Sequence, residues 1–235
     1  MSLKAIFLNF NGVIIDDEEI HQKLIGEILL GENLRFDNAE YQQYCQGKSD
    51  RNGLRDILAN RGRIVTEEYL TKLIETKARA YQQELEQLDS LPLYPNLPEF
   101  FSQLQEQGYK IALVTGALHS EVKFILQQAQ LIQYFAVIVG GDDLAVSKPR
   151  PEGYLLAIEQ LNQKYPELNL QPQECLAIED NYIGIQAAKN AGIQVVGIAN
   201  TYPLHMLQRQ ANWTVDSLLE IELDRVERVL SEKWV

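Results

Sequence analysis

The stretch Leu176-Ala177-Ile178-Glu179-Asp180-Asn181-Tyr182-Ile183-Gly184-Ile185-Gln186-Ala187-Ala188-Lys189-Asn190-Ala191-Gly192 decides how the chain is read. It runs from a short apolar segment through an acidic turn into a helical pattern. Small residues recur at Gly184, Ala187, Ala188 and Ala191, where a helix can approach a sheet closely, and Gly192 supplies a C-terminal stop. Apolar runs of the same kind lie at residues 5–8, 111–114, 137–139 and 195–198. Runs that are continuous, as opposed to alternating, suit parallel strands covered on both faces. Helical stretches at 120–130, 152–165 and 184–190 separate the later runs. Strand-helix alternation of this sort predicts a doubly wound, parallel α/β sheet.

Between the first and second strands the alternation stops. Residues 18 to 88 read as successive helices without a convincing strand, most clearly after Thr66, a candidate N-cap followed by Glu67 and Glu68. An insert of roughly seventy residues is too long for a crossover, so it is expected to form an all-helical cap domain over residues 16–93, with the α/β core at 1–15 and 94–235. Pro92-Leu93-Tyr94-Pro95-Asn96 then reads as the return hinge. There is no internal repeat and no low-complexity segment.

The composition is ordinary for a soluble globular chain of 235 residues, 46% hydrophobic and 23% charged. A net charge of −12 argues against nucleic acid as a partner. It leaves room for a phosphorylated small molecule, which a few local cations can serve. No run approaches the length of about eighteen apolar residues that a membrane span needs. The opening Met1-Ser2-Leu3-Lys4 leads straight into the first apolar run with no signal-peptide pattern, so a cytoplasmic location is expected. Cys45 and Cys175 have no metal or redox spacing, and Cys175 opens an apolar run like a core residue.

In open α/β sheets, ligands sit at the carboxyl ends of the strands. Asn9-Phe10-Asn11-Gly12 follows the first run, Thr115-Gly116 the second, a loop leading to Lys148 the third, and Glu179-Asp180-Asn181 the fourth. Each has a structural explanation alone: a turn, a helix cap, a solvated lysine, a helix start. Together they place four kinds of polar group on one sheet edge, which reads as a shared site.

That ordered set resembles the haloacid dehalogenase superfamily, in particular its β-phosphoglucomutase-like branch with a helical cap. The resemblance spans nearly the whole chain, and residues 179–192 are its most specific part. It implies an Mg²⁺-dependent phosphatase or phosphomutase acting on a small phosphorylated metabolite through an aspartyl-phosphate. Asn9 stands at the nucleophile's position and Asn11 at that of the general acid/base. By the same resemblance Thr115 and Lys148 hold the phosphoryl group, and Gly116 lies with them against the substrate. The metal falls to Asn9, the Asn11 backbone carbonyl, Asp180 and its neighbour Glu179. Phosphoryl transfer is largely positioning and charge neutralisation, which suits these groups. A carboxamide, however, is a poor nucleophile and does not titrate near neutral pH. Losing a covalent nucleophile costs about 10⁴ to 10⁶ in rate, and one charge fewer at the ion weakens Mg²⁺ binding. Three origins of the amide pair stay open at this stage: a natural non-catalytic binder of a phosphorylated ligand, deliberate substitution, or partial deamidation at Asn11-Gly12. The last leaves Asn9 unchanged.

Within the insert, His21 matches the branch's cap histidine, while a structural histidine is equally reasonable. Gly47-Lys48-Ser49-Asp50-Arg51 resembles the cap loop facing the active site, with Gly47 for a turn and Lys48 and Arg51 as cations toward the substrate. Arg51 is displaced by one place from the mutases' arginine, which puts sugar-phosphate isomerisation in doubt. Dehalogenation uses the same aspartate without metal, and the Glu179-Asp180 pair speaks against it. The long insert speaks against a response-regulator receiver. Cap closure about hinges near Ile15 and Pro92 is expected to gate solvent. Substrate identity and oligomeric state have no readable code here.

Overall fold

The computed structural model describes residues 2–232, so Met1 of the opening segment lies outside the described residues. Six strands form one parallel sheet: β1 (Ala5–Leu8), β2 (Lys110–Val114), β3 (Val137–Val139), β4 (Cys175–Glu179), β5 (Gln194–Ile198) and β6 (Trp213–Val215), in the order β3-β2-β1-β4-β5-β6. β1 is central, with Leu8 beside Leu113 on one side and Ile178 on the other. Strand order reverses at β1, which makes the carboxyl end of β1 the crevice where ligands gather in such sheets. The sequence reading found five strands. It missed β6, a three-residue edge strand whose Trp213-Thr214-Val215 is too short to show a period.

Both faces of the sheet are covered, which is why β1 and β4 are buried throughout and apolar up to Glu179 at the end of β4. Ile6 and Leu8 face a cluster with Phe100, Phe101 and Leu104 of α5 (Leu97–Glu106), Val122 and Ile125 of α6 (His119–Gln128), and Val226 of α10 (Leu223–Glu232). Ala5 and Phe7 face Tyr154 and Leu161 of α7 (Glu152–Lys164), Ala187 and Ala188 of α8 (Tyr182–Asn190), and Leu207 of the short α9 (Leu204–Leu207). Cys175 is fully buried in this second cluster, as the sequence suggested.

All four helices of the insert lie between β1 and β2: α1 (Glu18–Gly31), α2 (Asn38–Tyr44), α3 (Asp50–Asn60) and α4 (Glu67–Glu86). Thr66 caps α4, its hydroxyl accepting from the Tyr69 amide at 3.2 Å. The insert has an apolar cluster of its own around Ile25, Leu54, Ile57, Leu70 and Ile74. The two strands of chain joining cap and core run side by side. Asp16 N donates to Pro92 O at 2.8 Å, and Tyr94 N to Ile14 O at 3.0 Å. No helix among the described residues is long and apolar enough to cross a membrane.

Candidate functional site

The carboxyl ends of β1, β2, β4 and β5 converge beneath the cap, and the cleft between has about 680 Å³ of empty space, mouth included. Asn9 is the first residue beyond β1, buried, with its carboxamide held on both sides. Lys148 Nζ donates to Oδ1 at 3.1 Å, while Nδ2 donates to the Asn11 backbone carbonyl at 2.8 Å and to Asp180 Oδ1 at 2.9 Å. An ammonium can only donate, so the atom facing it is the amide oxygen, and the two acceptors on the far side meet the amide hydrogens. The reverse orientation would set donor against donor and acceptor against acceptor, so the surroundings fix which way the amide points.

Lys148 also donates to Val114 O at 3.0 Å and to Glu179 Oε1 at 2.5 Å, and the Tyr154 hydroxyl donates to that same oxygen at 2.5 Å. Glu179 therefore turns away from Asp180 toward Lys148, and the acidic pair expected at the metal is split. Burial raises the Glu179 carboxyl above its usual range, only partly offset by Lys148. Gly184 makes room for this arrangement, because a Cβ there would fall 2.0 Å from Glu179 Oε2. Asp180 accepts from Thr201 Oγ1 at 2.5 Å and from Asn181 Nδ2 at 2.9 Å. Burial raises its carboxyl as well, against the hydrogen bonds from Thr201 and Asn9. Gly12, at φ 78°, passes so close to Asp180 that a Cβ would sit 2.2 Å from Oδ2. Thr115 is buried, accepts from the Ala117 amide at 3.0 Å, and leaves Gly116 to line the cleft. Thr201 and Asn200, whose Nδ2 donates to Gly12 O at 2.8 Å, were not singled out from sequence. They follow the β5 run directly, so the strand-end rule applied to one more strand would have found them.

Asn11 has different company. Its Nδ2 lies 3.0 and 2.9 Å from Asp17 Oδ1 and Oδ2 and 3.0 Å from His21 Nε2. His21 Nε2 in turn lies 3.1 Å from Asp17 Oδ2, the Tyr81 hydroxyl donates to the same oxygen, and the His21 and Tyr81 rings stack at 4.7 Å. Burial alone would raise Asp17, but His21, Tyr81 and Asn11 outweigh it and hold the carboxyl low. Burial and Lys77 would lower His21, but Asp17 outweighs them and holds the imidazole high. Deamidation of Asn11 needs the Gly12 nitrogen to attack its carboxamide. That nitrogen donates to Ile15 O at 2.9 Å while Asp17 and His21 hold the amide, an arrangement that opposes ring closure.

The cap roof holds further charge. Lys77 of α4 is buried and donates to Asp50 Oδ2 at 2.6 Å, with Glu121 Oε1 of the core 3.6 Å away. Burial would lower its ammonium, but Asp50 and Glu121 overcome that and raise it. Lys48 reaches Asp56 at 3.1 Å. Arg51 points across the cap to Glu67 at 2.9 Å and Thr71 at 3.0 Å, away from the main cleft. Glu18 lines the cleft with a buried Oε1 that has no hydrogen-bond partner. The cap loop is seated on the core: Ser49 N donates to Ser147 Oγ at 2.7 Å, the Tyr202 hydroxyl to Gln46 Oε1 at 3.1 Å, and Gly47 packs against Asn181. Of the residues named from sequence, Asn9, Asn11, His21, Gly47, Lys48, Gly116 and Asp180 line this cleft, and Thr115 and Lys148 lie just behind it.

A divalent cation here would need Asn9, the Asn11 carbonyl and Asp180 as oxygen ligands. Asn9 presents its NH₂ group to the other two, and an amide nitrogen that donates two hydrogen bonds is no ligand. Glu179 is committed to Lys148, and no group of three His, Cys, Asp or Glu side chains able to hold a metal occurs among the described residues. The residues present do not fit a resident Mg²⁺.

The frame is a parallel sheet whose polar edge is roofed by a helical insert. Residues 3–192 match the model of the family described as haloacid dehalogenase-like hydrolase, and the chain belongs to that family. A β-phosphoglucomutase of Bacillus subtilis is 29% identical over 234 residues, covering 99% of this chain and 96% of that protein. Among solved structures, a β-phosphoglucomutase from Clostridium difficile superposes with a TM-score of 0.83 at 22% identity, covering 98% of both chains. An aspartate-to-asparagine variant of CbbY from Rhodobacter sphaeroides, in complex with xylulose 1,5-bisphosphate, superposes with a TM-score of 0.78 at 21% identity, covering 94% of this chain and 96% of that one.

Proposed function

We propose that this chain uses a phosphatase or phosphomutase scaffold to hold a small phosphorylated metabolite and does not turn it over. The carrying observation is Asn9, a hydrogen-bonded carboxamide where an aspartyl-phosphate scheme needs a free carboxylate. Asn11 adds to it, since its amide can neither give nor take the proton that a carboxyl group there would move. Thr115 and Gly116, which would cradle a phosphoryl oxygen, are at hand, and Lys148 behind them adds a positive charge, which supports binding without supporting turnover. The CbbY variant supports binding without an acidic nucleophile, as an aspartate-to-asparagine neighbour that holds a sugar bisphosphate, and the number of phosphates this chain takes is argued from its own roof.

The roof points to a ligand with one phosphate. Lys48, Arg51 and Lys77 each already face a carboxylate, and Glu18 brings an unpartnered oxygen to the cleft. A second phosphate would meet that carboxylate, whereas hydroxyls of a sugar or polyol would satisfy it. A cytoplasmic location accompanies this reading, in keeping with two free thiols at Cys45 and Cys175.

Thermal melts with a panel of sugar and polyol monophosphates and bisphosphates, alongside a phosphate-release assay, test the proposal. Stabilisation by some monophosphates, following ligand linkage, without phosphate release is the expected result. Turnover at ordinary enzyme rates, or no stabilisation by any phosphate ester, would sink it.

A further inference from the structure

The Asn9 amide does more than remove a nucleophile. Its Nδ2 lies between the Asn11 carbonyl and Asp180 Oδ1, 2.8 and 2.9 Å from them, and donates to both. Those are the oxygens that a cation in this crevice would have to bring together. The amide hydrogens thus do the cation's structural work, tying the β1 turn to the β4 turn. Metal entry would require the amide to rotate, placing NH₂ where Oδ1 now accepts from the Lys148 ammonium at 3.1 Å. Donor would then face donor in a buried site.

Charge leads to the same place. A carboxylate at each of positions 9 and 11 would add two negative charges, which a divalent cation cancels. With neutral amides at both positions, the metal-free crevice carries the net charge that the carboxylate-and-cation version would carry. Adding Mg²⁺ to this chain would leave a surplus of positive charge with Asp180 as the sole carboxylate ligand, because Glu179 is held by Lys148 and Tyr154.

We infer that the Asn9 carboxamide replaces the divalent cation, tying the β1 turn to the β4 turn, so that this chain binds phosphate with no metal ion. The phosphate half of this statement rests on the proposed function, and the metal half stands apart from it.

Calorimetry separates the two. Mg²⁺ alone is titrated into the unmodified chain and into Asn9→Asp, whose folding is checked by circular dichroism. Orthophosphate is then titrated into the unmodified chain in EDTA and again in Mg²⁺. The expected result is no Mg²⁺ binding to the unmodified chain, at least about tenfold tighter Mg²⁺ binding to Asn9→Asp, and an orthophosphate affinity within about twofold in the two buffers. Equal Mg²⁺ affinity in both proteins would overturn the inference, as would a folded Asn9→Asp that still binds no Mg²⁺. Orthophosphate binding about tenfold tighter in Mg²⁺ than in EDTA would overturn it too. If Asn9→Asp does not fold, the two titrations of the unmodified chain decide. If orthophosphate binds in neither buffer, the proposed function fails while the Mg²⁺ titrations still decide this inference.

Discussion

The floor and the roof of the cleft are built on different principles. Floor groups stand at strand ends or in the loops that follow them, and they bond to one another across strands: Lys148 to Asn9 and Glu179, Asn9 to Asp180, Thr201 to Asp180. Roof groups project from helices, and their partners are fixed only when helices pack. Lys77 of α4 meets Asp50 of α3 and Glu121 of the core, and Arg51 leaves the cleft to meet Glu67. A floor of this kind keeps its geometry when individual side chains change, whereas a roof changes its specificity with each substitution. That difference lets the scaffold stay intact around Asn9, the amide that the proposed function puts in a nucleophile's place.

Removing charge from the shared floor should have the largest effect on stability. Lys148→Ala leaves Glu179 buried without its cation and is expected to cost about 3–5 kcal/mol, read from chemical denaturation. Lys77→Met probes the roof-to-core tie, leaving Asp50 and Glu121 facing each other. A similar or somewhat smaller loss is expected, and no loss would show that the triad is not what seats α4.

Gly116→Ala is a steric test of the seam. A Cβ there would lie 2.7 Å from Lys48 O and 2.9 Å from Ser49 N, so the cap loop must lift. A cost of about 1–3 kcal/mol and a larger radius of gyration by small-angle scattering are expected. An unchanged envelope would mean that the seam yields locally.

The Asp17–His21 pair gives a pH signature. Asp17 is held below its ordinary 3.8, so its contribution is complete above about that pH and is lost as pH falls through the lower folded value. His21 is held above its ordinary 6.5, so its contribution is complete below that value and is lost as pH rises through the higher folded one. Melting temperature should therefore be highest between these limits, and Asp17→Asn should flatten the crest.

The smallest expected effect is Arg51→Ala. Its pairing with Glu67 is at the surface, so a loss under about 1 kcal/mol and unchanged ligand affinity are expected. Weakened affinity for phosphate esters would return Arg51 to the cleft.

The floor was legible in the sequence for the reason that makes it robust. A residue directly after an apolar run must lie at the sheet's edge, and Asn9, Thr115 and Asp180 could be placed by that rule alone. Glu179 shows the limit of the resemblance, which put it with Asp180 at a shared metal: β-strand alternation sends neighbouring side chains to opposite faces, so Glu179 goes to Lys148. In the roof, the cap loop and His21 were found by resemblance. Asp17, Glu18, Lys77 and Tyr81 were not, because their roles depend on which helix faces which, and helical period alone does not reveal that. Lys48 and Arg51 were expected as cations toward the substrate, and each has a carboxylate within reach.

The most direct test of the account is phosphate release from a panel of small phosphate esters in Mg²⁺, comparing the unmodified chain with Asn9→Asp/Asn11→Asp. The expected result is no turnover by the unmodified chain and turnover by the double variant on at least one ester, a gain of about 10⁴ to 10⁶. Turnover by the unmodified chain, unchanged in the variant, would contradict the claim that these two amides are what silences the site.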